Sequence, residues 1–208
     1  MKTIKKISLT ILLTVTLALG LSIHTSASTI HTVQSGDTMW KIAVKYQIGV
    51  SEIISANTQI ANPNMIYPGQ KVNIPSLSSA STNVEDQVVK LVNQERAKYG
   101  LNPLKSNWEL ARVARYKSQD MIDRKYFDHN SPTYGTPFQM MKSFGISYRS
   151  AGENIAAGQA TPSEVVQSWM NSEGHRKNIL SSTFTEIGVG YVKGGSYGHY
   201  WTQMFITR

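Results

Sequence analysis

A Ser-rich stretch, "SLSSASTN" at residues 76–83, divides the chain into two blocks of different composition. Runs of serine, threonine and asparagine favour flexible linkers over packed elements. Residues 30–75, before it, lie near the lower size limit for independent folding, and residues 84–208, after it, are long enough for a full hydrophobic core. The sequence therefore predicts a small module, a flexible linker and a larger domain.

The N-terminal residues 1–27 have the layout of a secretory signal peptide. Three lysines precede an apolar run at residues 7–23, and small residues follow at 25–27. An uncleaved membrane anchor is the alternative, but the hydroxyl residues within the run favour cleavage after Ala27. The sequence has no later apolar run that could cross a membrane. Loss of the three lysines would lower the formal charge from +8 to +5, so we expect a mildly basic exported protein.

The chain contains no cysteine. This excludes disulfides, thiolate metal sites and a cysteine nucleophile. The chain therefore cannot be one of the cysteine peptidases that cut cell-wall peptides. Any site must therefore be built from histidine, carboxylate, hydroxyl or amide groups.

The first block has strand patterns at its ends and helical patterns between them. The predicted order is β-α-α-β, with strands in residues 30–34 and 71–75 and helices in 38–46 and 50–57. The helical period places Trp40, Ala43 and Val44 on one predicted core face. Asp37 or Thr38 can cap that helix.

The motifs "HTVQSGDTMWKIAVKY" and "IISANTQIANPNMIYPGQKVNIP" closely resemble a LysM domain over this whole block. The resemblance implies binding of N-acetylglucosamine glycans such as peptidoglycan, in a groove between two loops. The groove residues it implies are Ser35, Gly36, Asp37 and Thr38 in the first loop and Asn64, Met65, Ile66 and Tyr67 in the second. Met65 and Ile66 could instead only fill a small core.

The second block reads as helices followed by strands, which is typical of an α+β domain. Helices are predicted in residues 83–100, 106–124, 136–145 and 161–171, and a hairpin in strands 187–192 and 198–207. A capping box is predicted at Ser106 with Glu109, and Thr-Pro starts are predicted at Thr136 and Thr161. The tryptophans Trp108, Trp169 and Trp201 are interpreted as core.

Polar residues stand out in segments that we expect to be irregular. His129 lies in the turn-rich "YFDHNSP", and Glu153 lies in the small-residue stretch "SAGENIAAG". His175 and Arg176 follow the fourth helix, which Gly174 is expected to end. Loops on a rigid scaffold are where sites are commonly built.

This block is similar to the CAP superfamily, which includes cysteine-rich secretory proteins, and especially to its bacterial extracellular branch. The matching segments are "LVNQERAKYGLNPL", "ARYKSQDM", "FDHNSP", "AGENIA", "VVQSWMNSEGHRKNIL", "IGVGY" and "YWTQMF". They follow in order over nearly all of residues 84–208. The resemblance implies an α-β-α sandwich with a central cleft.

Family members outside bacteria carry two histidines and two glutamates in that cleft. Matching the motifs places the first histidine at His129 and the first glutamate at Glu153. The second glutamate position holds Ser172, so this chain departs from the pattern there. The second histidine position holds Tyr200, with His199 one residue away and on the opposite face of a strand.

The bacterial Gly-His-Arg-x-Asn-Ile motif offers His175 as the second imidazole. His129, Glu153 and His175 are then candidate catalytic residues and candidate ligands of a divalent metal such as Zn²⁺. They could equally form a metal-free acid–base cluster, or only tie loops and helix ends together. Arg176 and Asn178 are interpreted as scaffold, and Glu173 and Glu186 as solvated surface charges.

No established nucleophile motif, nucleotide loop or nucleic-acid motif is present in the sequence, and Ser131 is a weak nucleophile candidate. We therefore expect a wall-associated binding protein in which LysM anchors to peptidoglycan and the CAP cleft receives a small ligand or a protein. The LysM segment also resembles that of spore-coat morphogenetic proteins, which suggests spore or envelope layers. The alternatives are a metal-assisted hydrolase of wall or protein substrates, and lipid or sterol binding in the CAP block.

Overall fold

The structure is a computed structural model that describes residues 29–75 and 79–208. The predicted signal peptide, residues 1–27, lies outside the described residues. Within the described ranges, no helix is long and apolar enough to cross a membrane.

The first domain has the predicted β-α-α-β order. Its elements are β1 (Thr29–Thr32), α1 (Met39–Tyr46), α2 (Val50–Ser55) and β2 (Lys71–Ile74). β1 and β2 pair antiparallel, with Thr29 opposite Ile74. A small core forms where the helices pack on this ribbon, and its centre is the fully buried Ile53 and Val72.

The predicted core face of α1 is correct for Ala43 and wrong for Trp40 and Val44. The helix buries Met39, Ile42 and Ala43, whereas Trp40 is 64% exposed and Val44 also reaches solvent. Two overlapping apolar stripes satisfy the helical period here, and the period alone does not choose between them. Trp40 and Val44, which were expected to lie in the core, therefore form part of the domain surface.

The flexible-linker prediction also needs correction for residues 79–83. Helix α3 (Ser79–Lys98) begins inside the predicted linker, while residues 76–78 lie outside the described part of the chain. Packing of Val88 and Val92 fixes the central turns of α3. The helix can then extend upstream, because each added residue forms a backbone hydrogen bond and the entropy cost of nucleation has already been met. Serine content alone did not reveal this extension.

The second domain is an α-β-α sandwich, as predicted. Its sheet has the order β3-β5-β6-β4, formed by β3 (Lys105–Ser106), β4 (Ser150–Ala157), β5 (Glu186–Lys193) and β6 (His199–Thr207). β3 runs parallel to β5, and the other neighbours are antiparallel. The helices are α4 (Trp108–Asp123) and α5 (Pro137–Ser143) on one face and α3, α6 (Pro162–Asn171) and α7 (Glu173–Ile179) on the other.

Two glycines of β5 allow α4 to lie directly on the sheet. A Cβ at Gly188 or Gly190 would collide with the backbone of α4. Because glycine lets two backbones approach closely, the "IGVGY" motif determines how near α4 comes to the sheet.

Strand β4, the two-residue strand β3 and helix α7 are elements that the sequence did not predict. Glu153 therefore lies in a buried edge strand rather than an irregular segment, and His175 lies inside a helix. Gly174 does not end a helix; the break falls at Ser172, whose extended backbone (φ −100°, ψ 122°) separates α6 from α7. The small residues of β4 show no clear alternation, and the polar α7 buries only Ile179, so neither element had a periodic apolar pattern.

Helix caps were predicted with mixed success. Thr38 caps α1, and Thr136 and Thr161 form the predicted capping boxes. The box at Ser106 was wrong, because Ser106 lies in β3 and Asn107 caps α4 by accepting from the amide of Leu110.

Candidate functional site

The two predicted glycan loops of the first domain are held side by side. The amide of Val33 donates to the carbonyl of Gln70 (2.9 Å), and the amide of Gly69 donates to that of Val33 (2.8 Å). These bonds join the segments that flank residues 35–38 and 64–67. The structure thus brings both predicted halves of the groove to one end of the domain.

The side chains of the second loop divide into core and surface. Met65 and Tyr67 are 56% and 60% exposed, and they line a concavity of about 570 Å³ together with Pro68 and Asn62. Ile66 packs against the small core instead. The core-filling alternative is therefore correct for Ile66, while Met65 remains free at the surface.

The first loop is braced by a histidine that the sequence analysis did not single out. His31 Nε2 contacts Asp37 Oδ2 at 2.8 Å, and the Gln34 amide donates to the same oxygen at 2.8 Å. The Gln34 amide and then His31 lower the pKa of Asp37. Asp37 therefore shapes the loop, and Ser35, Gly36 and Thr38 present their exposed groups from it.

In the second domain, His129 and Glu153 meet at the sheet edge. Nδ1 of His129 donates to Oε1 of Glu153 at 2.7 Å; the glutamate side chain is 2% exposed and the histidine 50%. The other carboxylate oxygen, Oε2, is buried and has no hydrogen-bond partner among the described residues. The hydrogen bond to Glu153 raises the pKa of His129, and burial raises the pKa of Glu153.

A buried lysine holds the loop that carries His129. Lys117 of α4 is fully buried, and its Nζ donates to the carbonyls of Asp128 and His129 (2.7 Å each) and to the Tyr126 hydroxyl (3.1 Å). Burial lowers the pKa of Lys117, and the Glu153 carboxylate opposes that shift. The sequence contained a signal for this residue, since Lys117 falls at helical spacing among the buried Leu110, Val113, Ala114 and Met121.

Ser131 is a turn residue in the structure. Its hydroxyl donates to Asp120 (2.7 Å) and accepts from the amides of Thr133 and Tyr134. Asp120 also accepts from Tyr126 at 2.7 Å. Asp120 thus accepts from several hydroxyls at once, and the Ser131 hydroxyl is part of the network that holds this turn.

His175 lies across the strand edge from His129. Its backbone carbonyl accepts from Asn154 Nδ2 (3.1 Å), which also donates to Gln203 Oε1 (2.9 Å). Asn178 donates to Asn154 Oδ1 (2.8 Å) and to the Glu153 carbonyl. Burial, and secondarily the charge of His129, lowers the pKa of His175. Asn178 is scaffold as predicted, and so is Arg176, which donates to the Met170 carbonyl.

The predicted trio does not converge into a metal site. In the part of the chain that the structure describes, no three histidine, cysteine, aspartate or glutamate side chains are grouped as metal ligands. His129 and Glu153 pair with each other, and His175 stays outside the pair. A divalent metal at these residues therefore remains a prediction, and the geometry provides no ligand set for it.

The remaining family positions are structural. Ser172 joins α6 to α7; Tyr200 is buried against Met121 and Ile155. His199 faces the other side of the sheet and contacts the Tyr191 hydroxyl at 2.8 Å. Glu173 is exposed as predicted, but Glu186 is not a free surface charge, because Asn107 donates to it at 2.5 Å.

Comparison with known proteins agrees with this architecture. The family model described as CAP, Cysteine-rich secretory protein family, matches residues 89–205, and the LysM domain model matches residues 31–75. The uncharacterized protein YkwD of Bacillus subtilis (strain 168) is 61% identical over 140 residues, covering 67% of this chain and 53% of that protein. The spore coat assembly protein ExsA of Bacillus cereus is 42% identical over 73 residues, covering 32% of this chain and 11% of that protein.

A solved structure also matches. It is an extracellular protein containing a SCP domain from Bacillus anthracis str. Ames, with 36% identity, a TM-score of 0.57, and coverage of 68% of this chain and 47% of that chain. This chain spans about half the length of YkwD and of the Bacillus anthracis protein. Since the first family model covers more than half of the 208 residues, the chain belongs to the CAP, or cysteine-rich secretory protein, family and carries a LysM domain ahead of its CAP domain.

Proposed function

We propose that this chain is an exported, wall-associated binding protein in which LysM holds peptidoglycan and the CAP domain offers a ligand cleft at His129 and Glu153. The observation that carries the proposal is the unpaired Oε2 of Glu153, buried beside a half-exposed imidazole. A buried carboxylate oxygen without a donor is costly, so a donor supplied by a ligand would stabilise it.

The glycan part of the proposal is supported by the first domain. Membership in the LysM group suggests peptidoglycan binding, and the exposed Met65 and Tyr67 line a concavity together with the polar Asn62 and Gln70. Apolar and aromatic side chains can cover the ring faces of a sugar while backbone and hydroxyl groups bond its amide and hydroxyls.

Three observations support the cell-envelope location that we propose for this protein. Residues 1–27 have the layout of a signal peptide, the Bacillus anthracis relative is described as extracellular, and ExsA is described as a spore coat assembly protein. We place this protein in the cell wall or the spore envelope of a bacterium.

Hydrolysis of wall or protein substrates is the second candidate. It is favoured by the His129–Glu153 hydrogen bond, since a carboxyl and an imidazole with raised pKa values can exchange a proton with a bound water. Against it stand the turn role of Ser131 and the lack of a metal ligand set among the described residues. The binding role therefore ranks first.

The test is a sedimentation assay of the chain from residue 28 onward with purified sacculi. We expect binding that Tyr67→Ser with Met65→Ser weakens, while the matched surface change Tyr99→Ser, on α3's C-terminal side, leaves it unchanged. Failure of the unaltered chain to sediment would overturn the anchoring role.

The same incubation separates binding from hydrolysis. We expect no soluble sugar or muropeptide by mass spectrometry. Release that persists in the unaltered chain and is lost in Glu153→Gln would establish the second candidate. For the cleft, native mass spectrometry of protein purified from a bacterial culture medium should show a bound mass that Glu153→Gln loses; absence of any bound lipid, peptide or sugar would count against the ligand cleft.

A further inference from the structure

A cleft of about 390 Å³ lies between the LysM and CAP domains. Helix α1 and the start of α2 form its LysM side, and α4 with the end of α5 form its CAP side. Trp40 and Val44, the stripe that the helical pattern wrongly assigned to the core, face into it. Ligand sites of roughly 300–1,000 Å³ are common at such domain boundaries.

An ion pair across the boundary fixes the width of this interdomain cleft. Arg112 Nε donates to Glu52 Oε1 (2.5 Å), and Nη2 donates to Glu52 Oε2 (2.9 Å) and to Ser51 Oγ (2.8 Å). The guanidinium also lies over the rings of Tyr116 and Phe144, 5.4 and 5.2 Å from their centroids. Because a bidentate arginine–carboxylate pair has one preferred geometry, it holds the two walls in register.

The ion pair lies directly against Gly49. A Cβ there would collide with the Arg112 guanidinium and the Glu52 carboxylate. A larger residue at this position would force the two charged side chains to move, so the pair and the start of α2 are in direct contact. The close approach and the ion pair together indicate a built boundary between the domains.

The lining of the cleft has the chemistry that a sugar ring needs. Trp40 is 64% exposed and Trp108 is half-buried, and both line the cleft, whereas Trp169 and Trp201 are buried in the CAP core. The interpretation of Trp108 as core is therefore corrected. An indole presents a broad apolar face to the C–H face of a pyranose, and Glu109 with the serines at the rim can bond its hydroxyls.

The first predicted groove loop and the interdomain cleft share helix α1. Thr38, the last residue of the first groove loop, caps α1, and Trp40 lies in the first turn of that helix. A glycan strand is a linear repeat of similar sugars, so one strand can supply units to more than one subsite. We propose that the cleft is a second glycan subsite, built jointly by the two domains, that takes further sugar units of a strand held by LysM.

This subsite rests on the proposed LysM glycan binding, and its test separates the two. The probes are the N-acetylglucosamine trimer and hexamer, titrated calorimetrically into the chain from residue 28 onward. We expect the hexamer to bind about tenfold more tightly than the trimer, a difference of about 1.4 kcal/mol. Trp108→Ala and Trp40→Ala should each remove that difference and leave the trimer affinity unchanged, and Tyr99→Ala, an exposed aromatic on another face, should retain it.

Indole fluorescence gives a second readout, because Trp40 and Trp108 are the accessible tryptophans of the four in the chain. The hexamer should shift the emission more than the trimer does. Arg112→Met, which removes the ion pair without entering the groove, should lose the hexamer advantage while trimer binding remains.

The outcomes distinguish the two ideas. If neither oligomer binds the unaltered chain, the LysM proposal fails. If both bind and Trp108→Ala keeps the full hexamer advantage, the joint subsite is overturned. Loss of the advantage in Trp40→Ala alone would likewise overturn it, since the tryptophan would then serve the LysM domain by itself.

Discussion

Glu153 and Asn154 are consecutive residues of β4, and they organise the two faces of one strand in different ways. Both are buried, at 7% and 0% exposure, and strand geometry points them to opposite sides. On one face, Glu153 pairs with His129 near the buried Lys117. On the other, Asn154 joins amide groups of Asn178 and Gln203.

The difference shows that one edge strand can fix a loop with charges and a helix with neutral amides. The charged face holds the His129 loop, and the hydrogen bond to Glu153 raises the pKa of His129. The amide face holds α7, where burial lowers the pKa of His175. On the charged face, the buried Glu153 carboxylate is the group on which the proposed ligand cleft depends.

The most severe way to break the charged face is Lys117→Met. It leaves the carbonyls of Asp128 and His129 without their donor and removes a positive charge that interacts favourably with the buried Glu153. We expect a loss of about 3–5 kcal/mol in the free energy of unfolding, measured with urea. Lys90→Met, at an exposed position of α3, should change it by less than about 0.5 kcal/mol.

Adding Glu153→Gln to Lys117→Met should recover part of that loss, since no buried carboxylate then lacks its cation. Strictly additive effects would show that Lys117 acts only through the loop carbonyls and does not interact with Glu153.

The amide face should be broken by Asn154→Leu. The change removes the Asn154 side-chain oxygen, which accepts from Asn178, and the Asn154 amide nitrogen, which donates to the His175 carbonyl and to Gln203. Each of these three groups then loses one hydrogen bond. We expect a loss of about 2–3 kcal/mol by urea unfolding and faster amide exchange in α7. The titration of His129 should not move; a shift there would mean that the two faces are coupled.

The sequence predicted the two domains, their families and most of their long elements because these depend on strong periodicity and specific motifs. It did not predict that Glu153 lies on a strand, since "SAGENIAAG" has too few large apolar residues to show alternation. It identified His129 and Glu153 but not how they meet, which depends on a loop held by Lys117. The lysine in the apolar stripe of α4 was a usable signal, whereas nothing in the order of residues showed that Trp40 faces the CAP domain.

Glu153→Gln tests the role of the charge on this face of β4, because glutamine keeps the size and shape of the side chain but is neutral. Without the carboxylate, the pKa of His129 should fall back toward its ordinary value of 6.5, because its largest raising influence is lost. Two-dimensional NMR titration of the imidazoles measures this directly. Glu173→Gln, an exposed carboxylate on the neighbouring helix, is the matched control and should leave His129 unchanged.

The smallest expected effect is an opposite pH dependence of stability from the two histidines. The pKa of His129 in the folded protein lies above 6.5. Its contribution to the free energy of unfolding is therefore full below about pH 6.5 and is lost as the pH rises through that folded pKa. His175 has a folded pKa below 6.5, so folding is penalised at low pH, and this penalty disappears as the pH rises to about 6.5.

Urea unfolding of His129→Asn and His175→Asn near pH 5 and near pH 8 tests these two opposite dependences of stability on pH. Relative to His129→Asn, the unaltered chain should be more stable near pH 5 than near pH 8; relative to His175→Asn, it should be less stable near pH 5. Each difference should stay below about 1 kcal/mol, because the His129 side chain is 50% exposed and solvent screens its ion pair. Equal slopes for both variants would mean that the two histidines share one environment, and the division between a charged and a neutral face of β4 would be wrong.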